Sequence, residues 1–262
     1  WRALQETVGV SESLARSGRT VFAGLFLNNF MPGTLGYDGL RILLMGRACG
    51  SMPVAIGAIA YERAMQVAIY VLLVMLASLW PMAWLRPWLQ LLILAGGGLA
   101  ILALLVLLKW LGGRKISPAP RDAGLLVRGW AFLGAMLAET GRMQVRLRRH
   151  RGAQAQFFLS SLANVALVLA LFLVTLHDLG RPTDLPIIVF ALGVAAIASG
   201  LPISFGGIGG AGALLVLFLG LGGVPSGDAL LVALVVRASA VLVSLIGLPG
   251  ALLLWRERGA VG

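Results

Sequence analysis

Five ionisable side chains lie inside stretches that are otherwise apolar: Asp38, Arg41, Glu62, Arg63 and Arg237. In a membrane-crossing segment each such charge costs ~3 kcal/mol or more, so a charge held at that depth is by default a functional candidate. Three arginines against two acids leave a surplus of +1. That surplus suits an anionic guest such as a lipid phosphate, because guanidinium binds phosphate bidentately and keeps its proton when partly dehydrated. Asn28, Asn29 and Ser204 stand at neighbouring breaks in the apolar pattern and would add neutral hydrogen bonds. The substrate-binding set read from the sequence is therefore Asn28, Asn29, Asp38, Arg41, Glu62, Arg63, Ser204 and Arg237. A structural reading competes with it. Asp38 with Arg41 at i,i+3, and Glu62 with an arginine of another helix, would be ion pairs that only pin helices together.

Other chemistry is poorly served. No Ser-His-Asp set, carboxylate pair with acid-base geometry or nucleotide-binding loop is discernible, so the chain is not expected to be an enzyme. The histidines His150 and His177 are too few and too far apart for a metal site, and the single cysteine, Cys49, cannot form an internal disulfide. No metal or cofactor is expected. Residues Gly207-Ile208-Gly209-Gly210-Ala211-Gly212 spell G-x-G-x-x-G, with Asp228 about twenty residues on. A dinucleotide fold needs that pattern after a strand in a soluble βαβ unit, and here it is embedded among membrane spans.

The elements that must carry these residues follow from composition. Of 262 residues, 59% are hydrophobic and 12% charged, 35 are glycine, and the mean hydropathy is +0.95. A soluble globular protein is excluded. Leu89 to Leu108 and Phe157 to Leu176 are uncharged runs, each of the ~20 residues that a helix needs to cross a hydrocarbon core about 30 Å thick. Residues 55 to 79 and the helix around Arg237 are further spans. The predicted fold is all-α and polytopic: a single membrane domain over 1–262, with about four full transmembrane helices and two interrupted hairpins.

The first interruption covers about residues 19–47. Val21 to Met31 is short and carries Asn28 and Asn29, then comes Pro32-Gly33-Thr34-Leu35-Gly36-Tyr37-Asp38-Gly39, then Leu40 to Met45, with Arg16, Arg19, Arg41 and Arg47 flanking. The second covers about 185–222, broken at Pro202-Ile203-Ser204-Phe205-Gly206-Gly207-Ile208-Gly209-Gly210, and no Lys or Arg occurs between Pro182 and Val236. Both breaks fit P-x-x-x-G-x-x-G, as Pro32, Gly36, Gly39 and Pro202, Gly206, Gly209. Shared spacing and opposite flanking charge read as an inverted repeat of re-entrant hairpins. In membrane transporters such broken helices meet near the midplane and form the substrate site. Broken backbone survives at that depth only where protein or a wet cavity satisfies its amides.

Charge sets the orientation. Of 21 Lys and Arg, ten lie between Lys109 and Arg151, opposed only by Asp122 and Glu139. The positive-inside rule makes the basic loop at about 109–156 cytoplasmic, and Arg256 and Arg258 place the C-terminus on the same side. Within that loop Arg142, Arg146 and Arg149 share a helical face, with Leu126, Trp130, Leu133 and Leu137 apolar one or two turns earlier, as in a helix lying on anionic lipid. Trp80, Trp84 and Trp88 with Pro81 and Pro87 read as an outer aromatic belt. The basic run Arg146 to Arg151 is read as a juxtamembrane flank and not as a nucleic-acid patch.

The run Gly24-Leu25-Phe26-Leu27-Asn28-Asn29-Phe30-Met31-Pro32, followed by Gly36-Tyr37-Asp38-Gly39-Leu40-Arg41, resembles the flippase-like family that shares the membrane region of lysyl-phosphatidylglycerol synthases. Its pattern there is close to G-x-F-x-N-x-F-x-P and then G-G-D-x-x-R. Glu62-Arg63, Pro202-Ile203-Ser204 and Arg237 match in order, so the resemblance spans about residues 1 to 255. Tyr37 replaces the second glycine of G-G-D, and Ala211-Gly212 replaces an Arg-Glu usual after the glycine segment. The resemblance also implies one or two front helices ahead of Trp1, and no soluble aminoacyl-transferase domain within this chain.

What it implies for function is movement of an anionic phospholipid or lipid-linked molecule between the leaflets of the cell membrane. The partners expected are that substrate and bulk membrane lipid, with a homo-oligomer left open and nucleic acid excluded. Two alternatives stand beside it: an enzyme of polyprenyl-linked sugar or lipid modification, and a scaffold for a lipid-modifying complex.

Overall fold

The computed structural model describes residues 1–31, 34–82, 84–114, 124–181, 184–199 and 210–259. Pro32 and Gly33 of the first break, and Ser204 with all of 200–209 of the second, lie outside them. The described residues hold eleven helices and no strand: α1 (Arg2–Thr7), α2 (Leu14–Asn28), α3 (Leu35–Cys49), α4 (Met52–Ser78), α5 (Pro87–Gly112), α6 (Leu125–Arg149), α7 (Arg151–Asp178), α8 (Leu185–Ser199), α9 (Gly210–Leu221), α10 (Ser226–Leu245) and α11 (Leu248–Gly259). The protein is an all-α, multi-pass membrane protein. Four helices, α4, α5, α7 and α10, are long and apolar enough to cross a bilayer, at 27, 26, 28 and 20 residues.

Local chemistry sets the helix ends. Ser13 precedes α2, and its hydroxyl accepts the Arg16 amide at 3.3 Å. Proline opens α4 and α5 in the first turn, where its missing N–H is an orphan in any case. Gly50, at φ +70°, ends α3 in the left-handed region that a side chain would strain.

Helix α4 is the spine. Its first half takes α3, which runs antiparallel to it, from Asp38 beside Arg63 to Gly46 beside Met52. Its second half takes α8, also antiparallel, with Gly193 at 2.6 Å from Val74 and at 3.4 Å from the Tyr70 carbonyl oxygen, for the Cβ it lacks. Ile187 and Phe190, near the start of α8, join Val74 and Ala77 at the far end of α4 and Met82 just beyond it. Continuing that register, Ser199 falls about six residues further down α4, near residue 66, close to the level at which α3 begins. The hairpins α2–α3 and α8–α9 thus approach the middle of α4 from opposite ends.

Between Lys109 and residue 156 the structure differs from an open loop. Helix α6 fills most of that stretch, and its second half is not a surface element. Met143 and Leu147 are buried in a core with Leu4, Met45, Ala55, Ala58, Tyr61 and Leu108. Glycine allows this approach: a Cβ at Gly57 would come within 2.7 Å of the Glu139 Cβ, and one at Gly112 within 2.9 Å of the Gly141 carbonyl carbon. Only the first half of α6, with Leu126 and Trp130 exposed, keeps the free apolar face expected for the whole helix. Packing overrides amphipathicity where three glycines let backbones meet. The aromatic belt divides similarly: Trp80 and Trp88 are exposed, while Trp84 turns inward onto Phe190 and Phe218, with ring centroids 5.3 and 5.8 Å away.

Gly141→Leu should lower the thermal midpoint in detergent by the equivalent of about 1–3 kcal/mol, because the α5 backbone cannot recede. Gly129→Leu on the same helix, where a Cβ meets nothing within 4 Å, should leave the midpoint unchanged or raise it by up to about 1 kcal/mol.

Candidate functional site

Asn28 ties the two sides of the break between α2 and α3 together. Asn28 accepts the Tyr37 amide at 3.3 Å. Gly36 passes so close to α2 that a Cβ would lie 2.6 Å from the Asn28 nitrogen. The first two turns of α3 then present Asp38 and Arg41 toward Glu62 and Arg63, which are adjacent on α4.

Arg63 grips Asp38 with a fork: Nε donates to Oδ2 at 2.9 Å and Nη2 to Oδ1 at 2.7 Å. Its third arm, Nη1, donates to Gln66 at 2.9 Å. Arg41 is fully buried, donates to Glu62 and stands 3.5 Å from Asp38. Its guanidinium lies between two aromatic faces, 4.1 Å from the Trp1 ring centroid and 4.4 Å from that of Tyr37. Cation–π attraction of this kind is worth about 2 kcal/mol or more when desolvated. Tyr37, which stands where the family pattern has glycine, therefore helps to cover Arg41. The four charges sum to zero, two arginines against two acids. The quartet neutralises itself.

Arg237 stands apart from it. It lies eleven residues past Ser226, at about 1.5 Å per residue some 17 Å into α10. Its Nη2 donates to Asn29 Oδ1 at 3.1 Å, and Asn29 Nδ2 in turn donates to Ser244 Oγ at 2.6 Å and to the Phe26 carbonyl at 3.3 Å. Among the described residues no carboxylate pairs with it. The expected set is thus split: Asp38, Arg41, Glu62 and Arg63 come together, Asn29 joins Arg237, and Asn28 holds the break between the two groups. Ser204 is outside the described residues. Among the described residues no three His, Cys, Asp or Glu side chains gather as a metal would require.

A groove of 1710 Å³ opens along α2, α3 and α11. Arg16, Arg19 and Arg47 line it at the open end of the hairpin, with Glu12 as the acid there, and Phe26, Leu27, Met31 and Leu35 line it at the break. It is cationic at one end and apolar at the other, the polarity of a phospholipid.

The sequence pattern of the lysylphosphatidylglycerol synthase TM region matches residues 1–247. The chain belongs to this family. No curated protein and no solved structure matches it. Membership ties the protein to lipid modification or transport. The match stops before α11, so the groove wall formed by Leu248, Leu252 and Leu253 is added by residues beyond the matched stretch.

Sequence reasoning passed over several of these residues. Ser244 lies two turns from Arg237 on one helix face, and Gln66 one turn from Arg63, so helical spacing could have found both. Arg16, Arg19 and Arg47 read as topological flanks, and nothing in the sequence joins them across a groove. Trp1 carries no signal at all.

Glu62→Gln should cost about 3–5 kcal/mol of stability, since it leaves the buried Arg41 without its nearest counter-charge. Glu6→Gln, in the half-exposed Arg2–Glu6 pair, should change stability by no more than about 1 kcal/mol. Detergent-phase thermal melts of the two variants check the contrast.

Proposed function

We propose that the protein moves an anionic phospholipid or lipid-linked molecule between the leaflets of the cell membrane, and that it does so as a transporter without a catalytic step. The observation that carries this reading is Arg237: a guanidinium about halfway along a spanning helix, bonded to a neutral amide and to no described carboxylate. A cation at that depth is stabilised by a counter-charge brought by a guest, and phosphate meets its fork bidentately. The quartet at Asp38, Arg41, Glu62 and Arg63 takes the structural role, since its charges are already spent on one another.

In this reading α2–α3 and α8–α9 are re-entrant hairpins. Each member is 12 to 15 residues long, at most about 22 Å against a core of about 30 Å. The first enters from the cytoplasm and the second from outside, the arrangement that respects the cation distribution. The C-terminus and α6 are then cytoplasmic, and α3 and α9 each turn a positive N-terminal end toward a break. The groove between α2, α3 and α11 admits a lipid from the inner leaflet, head at Arg16, Arg19 and Arg47 and chains toward Phe26 and Leu35.

Two measurements test this. In proteoliposomes, Arg237→Gln should abolish leaflet-to-leaflet movement of fluorescent phosphatidylglycerol while leaving the fold intact, and Arg237→Lys should restore only part of it because the fork is lost. Wild-type movement by a folded Arg237→Gln variant ends the assignment. In a Cys49→Ala background, Leu35→Cys should react with an impermeant thiol reagent only from the cytoplasmic side, and Gly210→Cys only from outside. Labelling of both from one side ends the inverted-repeat reading.

A further inference from the structure

A second charged assembly stands where α5 ends, and it shares no residue with the quartet, Arg237 or the groove. Glu139 of α6 is buried and accepts from two arginines, one on each carboxylate oxygen: Arg142 on Oε1 and Arg146 on Oε2, the latter at 3.0 Å. Arg142 donates a second bond, at 3.0 Å, to the Arg114 carbonyl just past α5. The Arg114 guanidinium in turn lies 3.7 Å from the Trp110 ring centroid. Three arginines are thus tied to one place by a single buried carboxylate, a helix end and a ring, with a local charge of +2 from three cations and one acid.

A guanidinium has five N–H donors. Arg142 uses two contacts and Arg146 one, and their side chains are 36% and 34% exposed, so both keep spare N–H donors on side chains that reach the surface. The surroundings tell what they face. Leu107, Trp110 and Val145 are exposed around them at 47%, 54% and 51%, at the end of a spanning helix where an indole marks the headgroup level. Cations held rigid beside exposed apolar side chains at that level fit a molecule with an anionic head and an apolar body.

We propose that Arg114, Arg142 and Arg146 clamp the phosphate of an anionic phospholipid in the leaflet at which α5 ends, and that this lipid stays bound as a partner of the α5–α6 junction instead of being moved. Glu139 does not touch the lipid. It positions Arg142 and Arg146 so that their free N–H groups point one way.

The test uses the full chain in detergent with phosphatidylglycerol and phosphatidylcholine as probes, read by native mass spectrometry. The wild type should retain phosphatidylglycerol and lose phosphatidylcholine. The triple variant E139Q/R142Q/R146Q leaves no buried charge unpaired, and it should hold phosphatidylglycerol at least about tenfold more weakly, the loss expected for charge-assisted hydrogen bonds. Arg2→Gln, which removes a half-exposed cation on α1 outside the clamp, the groove and the Arg237 site, should retain the lipid as the wild type does. Should the triple variant not fold, R142K/R146K keeps both charges, loses the forks, and should still weaken retention severalfold. Equal retention by the mutated clamp, equal retention of phosphatidylcholine, loss of the lipid in Arg2→Gln, or its displacement by an equal concentration of inorganic phosphate would overturn the proposal.

Discussion

The structure depends on one constraint: at membrane depth no water answers a charge or an open backbone amide, so protein must answer both. The contact between Arg41 and Glu62 shows how far this goes. Arg41 has no exposed surface, yet it has a carboxylate on one nitrogen, a second carboxylate within 3.5 Å, and an aromatic ring on either side. Its remaining buried nitrogen, Nε, has no partner among the described residues. A lost hydrogen bond costs about 1–3 kcal/mol where water is excluded, so this packing holds only because α1, α3 and α4 are locked around it. Removing the assembly would release hairpin α2–α3 from the spine.

That spine also explains the glycine content. Gly46, Gly57, Gly97 and Gly193 mark four places where a neighbouring side chain or backbone fills the space of a missing Cβ, with α3, α6, α5 and α8 involved in turn. In lipid, helices gain little from hydrophobic burial against one another, so close approach and dispersion contacts must do the associating. Glycine is the residue that permits it. The large apolar side chains of α5 and α7 remain free to face lipid instead.

Much of this was legible in the sequence, for reasons specific to particular residues. Leu89 to Leu108 and Phe157 to Leu176 are long uninterrupted apolar runs, and such runs have one outcome in a membrane, while α4 and α10 are apolar enough to span although Glu62, Arg63 and Arg237 interrupt them. The first break was legible because Asn28, Asn29 and Gly36 interrupt an apolar run, and Asn28 and Gly36 are the residues at which α3 meets α2. The pairing of Asp38, Arg41, Glu62 and Arg63 was partly legible, since i,i+3 spacing puts the first two on one face, but which helix supplied the partners was not. Two features were out of reach. The docking of α6 depends on Gly57, Gly112 and Gly141 meeting across three helices, and periodicity within one helix cannot show that. The groove brings Arg16 and Arg47 together from the two ends of a hairpin, and their spacing along the chain is unrelated to their distance in space.

The sequence presents five deep charges as one group with a surplus of +1, whereas the fold divides them four and one. All of the surplus then falls on Arg237. The division passes through two consecutive residues, because Asn28 binds the amide of Tyr37 at the head of α3 while Asn29 binds Arg237 and Ser244 of α10. Any guest that draws Arg237 away from Asn29 therefore loosens a bond one residue from the contact that holds α3. Helix α3 is fixed to α4 by the quartet, and among the described residues no ion pair joins α10 to α4, so under the proposed transport the displacement would fall on α10 while the spine stays in place. A charge-neutral lock beside an uncompensated cation is the arrangement that the proposed transport needs, since a binding event at one would then move a helix without unfolding the other.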